Sequence, residues 1–320
     1  MKLPRKLLLI ITLLLGSANI FIFLKRNNGF EYIKYSGISE LYPSDPGSSF
    51  FNKWDKYNRK FSTEEISQGL LLLNRFAGID TLSADRDKVV NIAVWLYKSF
   101  HRQLGTPADS LSGLAPLLQY KSLVSDTEKQ LMCGQFQAMF GFFCTAAGLK
   151  NRYVEVVPLS AANSSGYHEV NEVWLAEVKK WVMVDVTRNF LLFRKDSLVL
   201  SAAGYLDYRI QNQPQPILIT RFDSSSGLAE TTQIENLSGD NYFNKNYSLR
   251  YYLNMRLSEV YTPVSKIKRY VFGDPWYEMY SPGSQHPDFL FRIRQLFLSG
   301  FLLCLLLGLL VIIKYRNRTK

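Results

Sequence analysis

Two uncharged apolar runs near the ends of this 320-residue chain limit what the rest can be. Leu7 to Leu24 reads LLLIITLLLGSANIFIFL and Leu296 to Ile313 reads LFLSGFLLCLLLGLLVII, each 18 residues long. As helices they would measure about 27 Å at about 1.5 Å per residue, close to the roughly 30 Å of bilayer hydrocarbon. The chain therefore reads as a membrane protein whose middle is exported. Lys2, Arg5 and Lys6, with Gly16, Ser17 and Ala18 behind them, also fit a secretory signal peptide. The apolar residues resume through Leu24, which favours an uncleaved anchor, and on either reading the residues after Leu24 are exported. Basic residues flank the outer ends of the runs more densely than the inner ends. That bias predicts cytoplasmic termini and residues 30–290 outside. A bacterial envelope is the expected setting. Neither run carries a charged side chain to line a transport path, which argues against a channel or transporter.

Charge narrows the partners. Nine basic and no acidic side chains lie in residues 1–29 and 314–320, so residues 30–313 keep only +2 of the formal +11. A nucleic-acid-binding domain would carry its own concentrated basic face, so the expected partners are the membrane and a substrate, not nucleic acid. Of three cysteines, Cys304 lies in the second apolar run. Cys133 and Cys144 share one predicted helix, about 16 Å apart and beyond the roughly 7 Å reach of a disulfide. There is no CxxC or HExxH pattern, so neither a metal nor another cofactor is expected.

Between the apolar runs the pattern changes along the chain. Residues 27–60 read as an irregular lead-in. Ser62 and Glu65 fit a capping box, followed by Ile66, Leu70, Leu73 and Phe76 at helical spacing. Val89, Ile92, Ala93, Leu96 and Phe100 predict a second helix. The segment from Thr106 to Asp126 reads as loops and short helical pieces, with Ser125 and Glu128 placed to cap a further turn. CGQFQAMFGFFCTAAGLK, residues 133–150, predicts a largely buried helix stopped by Gly148. Strands are predicted at 152–159, 166–178 and 181–187, the last two joined at Lys179 and Lys180. Further strands are expected at 217–222, 248–257 and 265–273. Residues 273–288 read as a Pro/Gly-rich connection.

One constellation carries chemistry. A neutral thiol, with a pKa near about 8.5, is a poor nucleophile until it becomes a thiolate. Cys133 at a helix N-terminus would have the positive end of the dipole and free amides beside its sulfur. His168 can stabilise the thiolate and later protonate a leaving amine. Asp185 can accept from the other imidazole nitrogen and fix its tautomer. His101 and His286 lack such surroundings and are expected to be exposed. Cys144 is expected to pack inside its helix. Glu172 either braces the site, pairs with Arg152, or is solvated.

The segment CGQFQAMFGFFCTAAGLKNRYVEV, with Cys133, Gly134, Gly148 and Arg152, resembles the first half of the transglutaminase-like core. HEVNEVWLAEVKKWVMVDVT, with His168, Glu172, Trp181 and Asp185, resembles the second half. The order Cys, His, Asp and the separations of 35 and 17 residues also fit. The resemblance implies an α+β, papain-like fold, with a cysteine-bearing helix on an antiparallel sheet. It implies a Cys133–His168–Asp185 triad performing acyl transfer or amide hydrolysis on a protein, peptide or other amide. The Cys133 amide would form part of an oxyanion hole, with Gln119 and Gln130 both open as the second donor. The family often has an aromatic residue two after the histidine, where this chain has Val170.

The expected organisation is an anchor at 1–29, a lead-in and first helix at 30–86, and the core at 87–195. A β-rich accessory part at 196–290 and a membrane helix with a basic tail at 291–320 complete it. Val170 and the tyrosine-rich stretch from Tyr205 to Tyr280 also fit an alternative, an inactive binding or assembly module at the membrane surface. Asn163, Asn236 and Asn246 head glycosylation sequons.

Overall fold

The computed structural model describes residues 5–24, 42, 60–79, 83–158, 168–195, 198–211, 217–223, 227, 229–234, 243–252, 263–272, 277–280 and 288–317. The expected lead-in at 27–60 except Tyr42 and Lys60, the sequons at Asn163 and Asn236, His286, and most of the connection at 273–288 lie outside the described residues. The chain divides into two compact units. One comprises Met1–Tyr35, Leu257–Glu278 and Gly283–Lys320, and the other comprises Ser36–Arg256 with Met279–Pro282.

In the first unit, α1 spans Arg5–Leu24. It packs against the long C-terminal helix, Asp288–Arg316. Asn19 Nδ2 donates to Phe297 O (3.2 Å), while a Cβ on Gly16 would touch the Phe301 ring and one on Gly300 would touch Leu15. Partners rising along one helix fall along the other, so the pair is antiparallel, with small residues letting the backbones approach. Both helices are long and apolar enough to cross a membrane, over Lys6–Leu24 and Arg292–Lys314. A shorter helix, Pro263–Phe272, also belongs to this unit. A strand was expected at 265–273. The apolar residues there, Ile267, Tyr270 and Val271, sit three and one apart and satisfy a helical stripe as well as a strand.

In the second unit, the Ser62–Glu65 capping box opens α2, Thr63–Leu72. A wide turn follows at Leu73–Ala77, then α3 over Asp85–Phe100. The mixed segment holds α4, Asp109–Ser112, and α5, Pro116–Ser125. No helical turn follows Ser125. Instead Asp126 Oδ1 accepts from Glu128 N (3.1 Å), because the shorter Asp126 side chain closes the turn. The predicted buried helix is α6, Cys133–Ala146. It leads through Gly148, whose φ of +79° suits glycine, into β1, Asn151–Pro158. Then come β2 (His168–Leu175), β3 (Lys180–Val184), β4 (Phe190–Lys195) and β5 (Leu198–Val199). Lys179 takes the turn's left-handed conformation, φ 51°, where no glycine is available. Helix α7 (Ala202–Ile210) precedes β6 (Ile217–Phe222), β7 (Ala229–Ile234) and β8 (Tyr247–Tyr252).

The antiparallel sheet at the centre runs β3-β2-β1-β8. Strand β9, Tyr277–Tyr280, whose last residues belong to this unit, lies at its edge. A second sheet has the order β5-β4-β6-β7. Helix α6 is buried along most of its length: Phe136, Met139, Phe140, Phe142 and Phe143 are at most 1 % exposed. Phe143 meets Trp95 of α3 and Tyr120 of α5 edge-on, with centroids at 4.7 and 5.4 Å. Cys144 is buried in this core, as expected, and burial pushes its thiol pKa well up.

Opposite residues of β1 and β2, Arg152 and Glu172, form a fully buried ion pair, with Nε to Oε2 at 2.8 Å and Nη2 to Oε2 at 2.7 Å. The guanidinium stacks among the rings of Trp181, Tyr251 and Tyr42, 4.2, 4.6 and 4.9 Å away. Glu172 Oε1 accepts from Tyr42 Oη (2.7 Å) and from the Ala202 amide at the start of α7 (2.6 Å). Burial and the neighbouring Glu172 carboxylate raise the Tyr42 hydroxyl pKa, so it stays a proton donor.

Removing one partner of a buried pair strands the other charge. Glu172→Gln is expected to cost about 3–5 kcal/mol in chemical denaturation. Arg152→Met with Glu172→Leu is expected to cost less than Glu172→Gln alone.

Candidate active site

Cys133 is the first residue of α6, preceded by an extended Met132. The Met132 amide donates to Gln135 Oε1 (2.9 Å), and Gln135 Nε2 donates to Ser112 Oγ of α4 (3.1 Å). One glutamine thus fixes the start of the helix. The Cys133 amide falls in the first turn, where no carbonyl of the same helix is available to it.

His168 opens β2 and is 5 % exposed, while Asp185, just past β3, is 2 % exposed. The β2–β3 hairpin pairs Asn171 with Val184 and so carries Asp185 towards the start of β2. His168 Nε2 donates to Asp185 Oδ2 at 2.6 Å. The other carboxylate oxygen, Oδ1, accepts the Arg188 amide (3.2 Å). The Asp185 backbone is itself held by reciprocal 2.8 Å bonds with Phe190 across a tight turn at Asn189, φ 60°. Cys133 lies close enough to His168 to favour the protonated ring. With Nε2 committed to Asp185, Nδ1 is the nitrogen left for the sulfur. The structure thus brings the three predicted residues together, His168 bonded to Asp185 and beside Cys133.

Burial opposes a charged ring at His168. The Asp185 charge, the hydrogen bond to Asp185 and the neighbouring Cys133 outweigh it and push the pKa up from 6.5 to about 10. The imidazole is thus a proton-bearing group at neutral pH.

The other predicted residues fall elsewhere. Gln119 is buried and its Nε2 donates to Leu114 O (3.1 Å). Gln130 is exposed and lines a cavity of about 540 Å³ with Thr106, Ser110, Leu114, Ser122 and Glu128. Val170, in place of an aromatic residue, is fully buried, and its carbonyl accepts from Gln137 Nε2 at 2.6 Å. His101 is half-buried, not exposed as expected. Its Nδ1 lies 3.0 Å from Tyr97 O and its ring stacks on Tyr97, one helical turn back. Asn246 is exposed. Among the described residues, no group of three or more His, Cys, Asp or Glu side chains is placed to hold a metal ion.

A protein-family model of the transglutaminase-like superfamily matches residues 74–186. Residues 74–186 belong to that superfamily. No curated protein and no solved structure matches the chain. Cys133, His168 and Asp185 all lie inside the transglutaminase-like segment, as does the Arg152–Glu172 pair.

Two features of the transglutaminase-like site were missed in the sequence. Gln137 clamps α6 to the sheet through Val154 O (3.1 Å) and Val170 O (2.6 Å), and Asn171 Nδ2 returns a bond to Gln137 O (3.2 Å). A polar residue at Gln137, inside an apolar helix stripe, was the available signal. Glu169 places its carboxylate against Gly134, where a Cβ would lie 3.0 Å from Oε2. Strand alternation sends Glu169 away from His168, so sequence alone gave no reason to put it beside the cysteine.

The folded-state pKa of His168 lies above its unfolded value, so the native state holds an extra proton between pH 6.5 and about 10. The resulting stability is complete below 6.5 and lost as pH rises through about 10. The gap in thermal midpoint between wild type and Asp185→Asn should be widest below pH 6.5 and narrow towards pH 10. A gap constant over that range would contradict a charged His168–Asp185 pair.

Proposed function

We propose that the exported domain is a cysteine acyltransferase or amidohydrolase, with Cys133 as nucleophile, His168 as acid and base, and Asp185 as the group orienting His168. The His168–Asp185 hydrogen bond placed beside Cys133, at the start of a buried helix, supports this reading. Cys133, its proton held by His168, attacks a substrate carbonyl, and the first-turn amide of Cys133 faces the developing oxyanion. The C–N bond breaks as His168 delivers its proton to the leaving amine, leaving a thioester. His168 then takes a proton from water or an incoming amine, which attacks the thioester and releases the thiolate. Water gives hydrolysis and an amine gives crosslinking.

The reading places α1 and the C-terminal helix across a bacterial cytoplasmic membrane, with both termini inside and residues 30–290 outside. The substrate is then a protein, peptide or other amide at the envelope surface.

A thiol-reactive amide or ester probe should label wild-type protein and spare Cys133→Ala. Turnover should fall by about 10³-fold or more in Cys133→Ala and by about 10²–10⁴-fold in Asp185→Asn. Equal labelling of wild type and folded Cys133→Ala would overturn the nucleophile assignment and leave a binding module.

A further inference from the structure

The helix Pro263–Phe272, α8 in chain order, belongs to the unit that contains α1 and the C-terminal helix, which is α9. Among the described residues, hydrogen bonds with α1 and α9 dock one side of it. Tyr270 Oη donates to Asn19 O (3.1 Å) and contacts Asn19 Oδ1, while Arg294 Nη1 donates to Tyr270 O (2.6 Å). Gln295 Nε2 donates to Val271 O (3.3 Å), so two α9 side chains satisfy the last carbonyls of α8. The Tyr270 ring meets Phe23, in the last turn of α1, edge-on at 5.6 Å. These partners place α8 level with the end of one apolar helix and the beginning of the other.

The opposite side of α8 is apolar and open. Val264, Ile267 and Phe272 are 61 %, 58 % and 81 % exposed. At about 100° per residue, these three and half-buried Val271 fall within an arc of about 140°. Lys268 lies in the same arc, exposed, with a stem long enough to keep its ammonium at a headgroup while the apolar residues go deeper. The helix sequence PVSKIKRYVF contributes three positive charges and no negative one.

We propose that α8 is an interfacial helix, its Val264–Ile267–Phe272 face set in the bilayer at the boundary of the headgroups and Lys268 against anionic lipid. Three observations select lipid as the occupant. The helix is bonded at the edge of the two membrane-length helices, its charge complements an anionic surface, and its apolar residues are exposed on the side away from those helices. The proposal rests on α1 and α9 spanning the membrane, and the test separates the two.

Full-length protein is reconstituted in vesicles of phosphatidylcholine and phosphatidylglycerol in equal parts. It carries p-benzoylphenylalanine in place of Ile267, Phe272, Leu303 or Leu71, one at a time. After irradiation, mass spectrometry identifies the adducts. Lipid adducts are expected at Ile267, Phe272 and the α9 position Leu303, but not at Leu71, an exposed apolar residue of the other unit. Phosphatidylglycerol should be over-represented about twofold in the α8 adducts relative to Leu303. An adduct at Leu303 with none at Ile267 or Phe272 overturns the interfacial helix and leaves the anchors standing. No lipid adduct at Leu303 overturns the spanning reading, and this proposal with it. Crosslinks from Ile267 or Phe272 to a second protein chain show protein docking and overturn the lipid assignment.

Discussion

A guanidinium and a carboxylate with no solvent-exposed side-chain surface, Arg152 and Glu172, sit on neighbouring strands of the central sheet. Water cannot solvate them there, so the pair is tolerable only if its remaining donors and acceptors are met. Glu172 is met by Tyr42, Tyr251 and the first amide of α7, and the guanidinium lies against the rings of Trp181 and Tyr251, so β3, β8 and α7 all contribute groups around the pair. A one-residue slip of β2 against β1 would separate the charges and move His168 as well. The register that satisfies the ion pair is thus the register that sets the histidine.

Helix α6 supplies the other constraint. Its phenylalanines fill the core between α3, α5 and the sheet, and replacing one of them with alanine would cost about 3–5 kcal/mol. Such a helix cannot roll or slide without opening cavities, and Gln137 further pins it to two strand carbonyls. The sulfur at its first residue is held in place by packing many residues away. The proposed reaction at that sulfur would need such rigidity, because small displacements of a reacting group cost large factors in rate.

Much of the site was legible because its parts are local. A cysteine opening an apolar helix, a strand beginning at a histidine, and an aspartate in an otherwise apolar strand each stand out against their neighbours. The superfamily match over 74–186 covers the same residues. Less local features were not legible. The segment 265–273 was expected to be a strand and is a helix, since its short apolar pattern fits either period and its docking depends on Asn19 and Arg294, distant in sequence. Ser125 and Glu128 matched a cap by spacing, but Asp126 closes that turn. His101 was assigned to solvent because nothing in the sequence shows the Tyr97 ring beneath it.

The sequence by itself determined the two apolar helices, the order of helix and strands around the cysteine, and the burial of the α6 stripe. Each of these is a matter of composition and periodicity along a few turns. Only the tertiary structure decided that Glu172 pairs with Arg152, that Glu169 lies against Gly134, and that the His168 pKa is pushed up. Those outcomes depend on the field and solvent exclusion created by groups brought together from far along the chain. Side-chain spacing carries no record of dielectric surroundings, so charge state and pairing emerged only once the fold had removed the water.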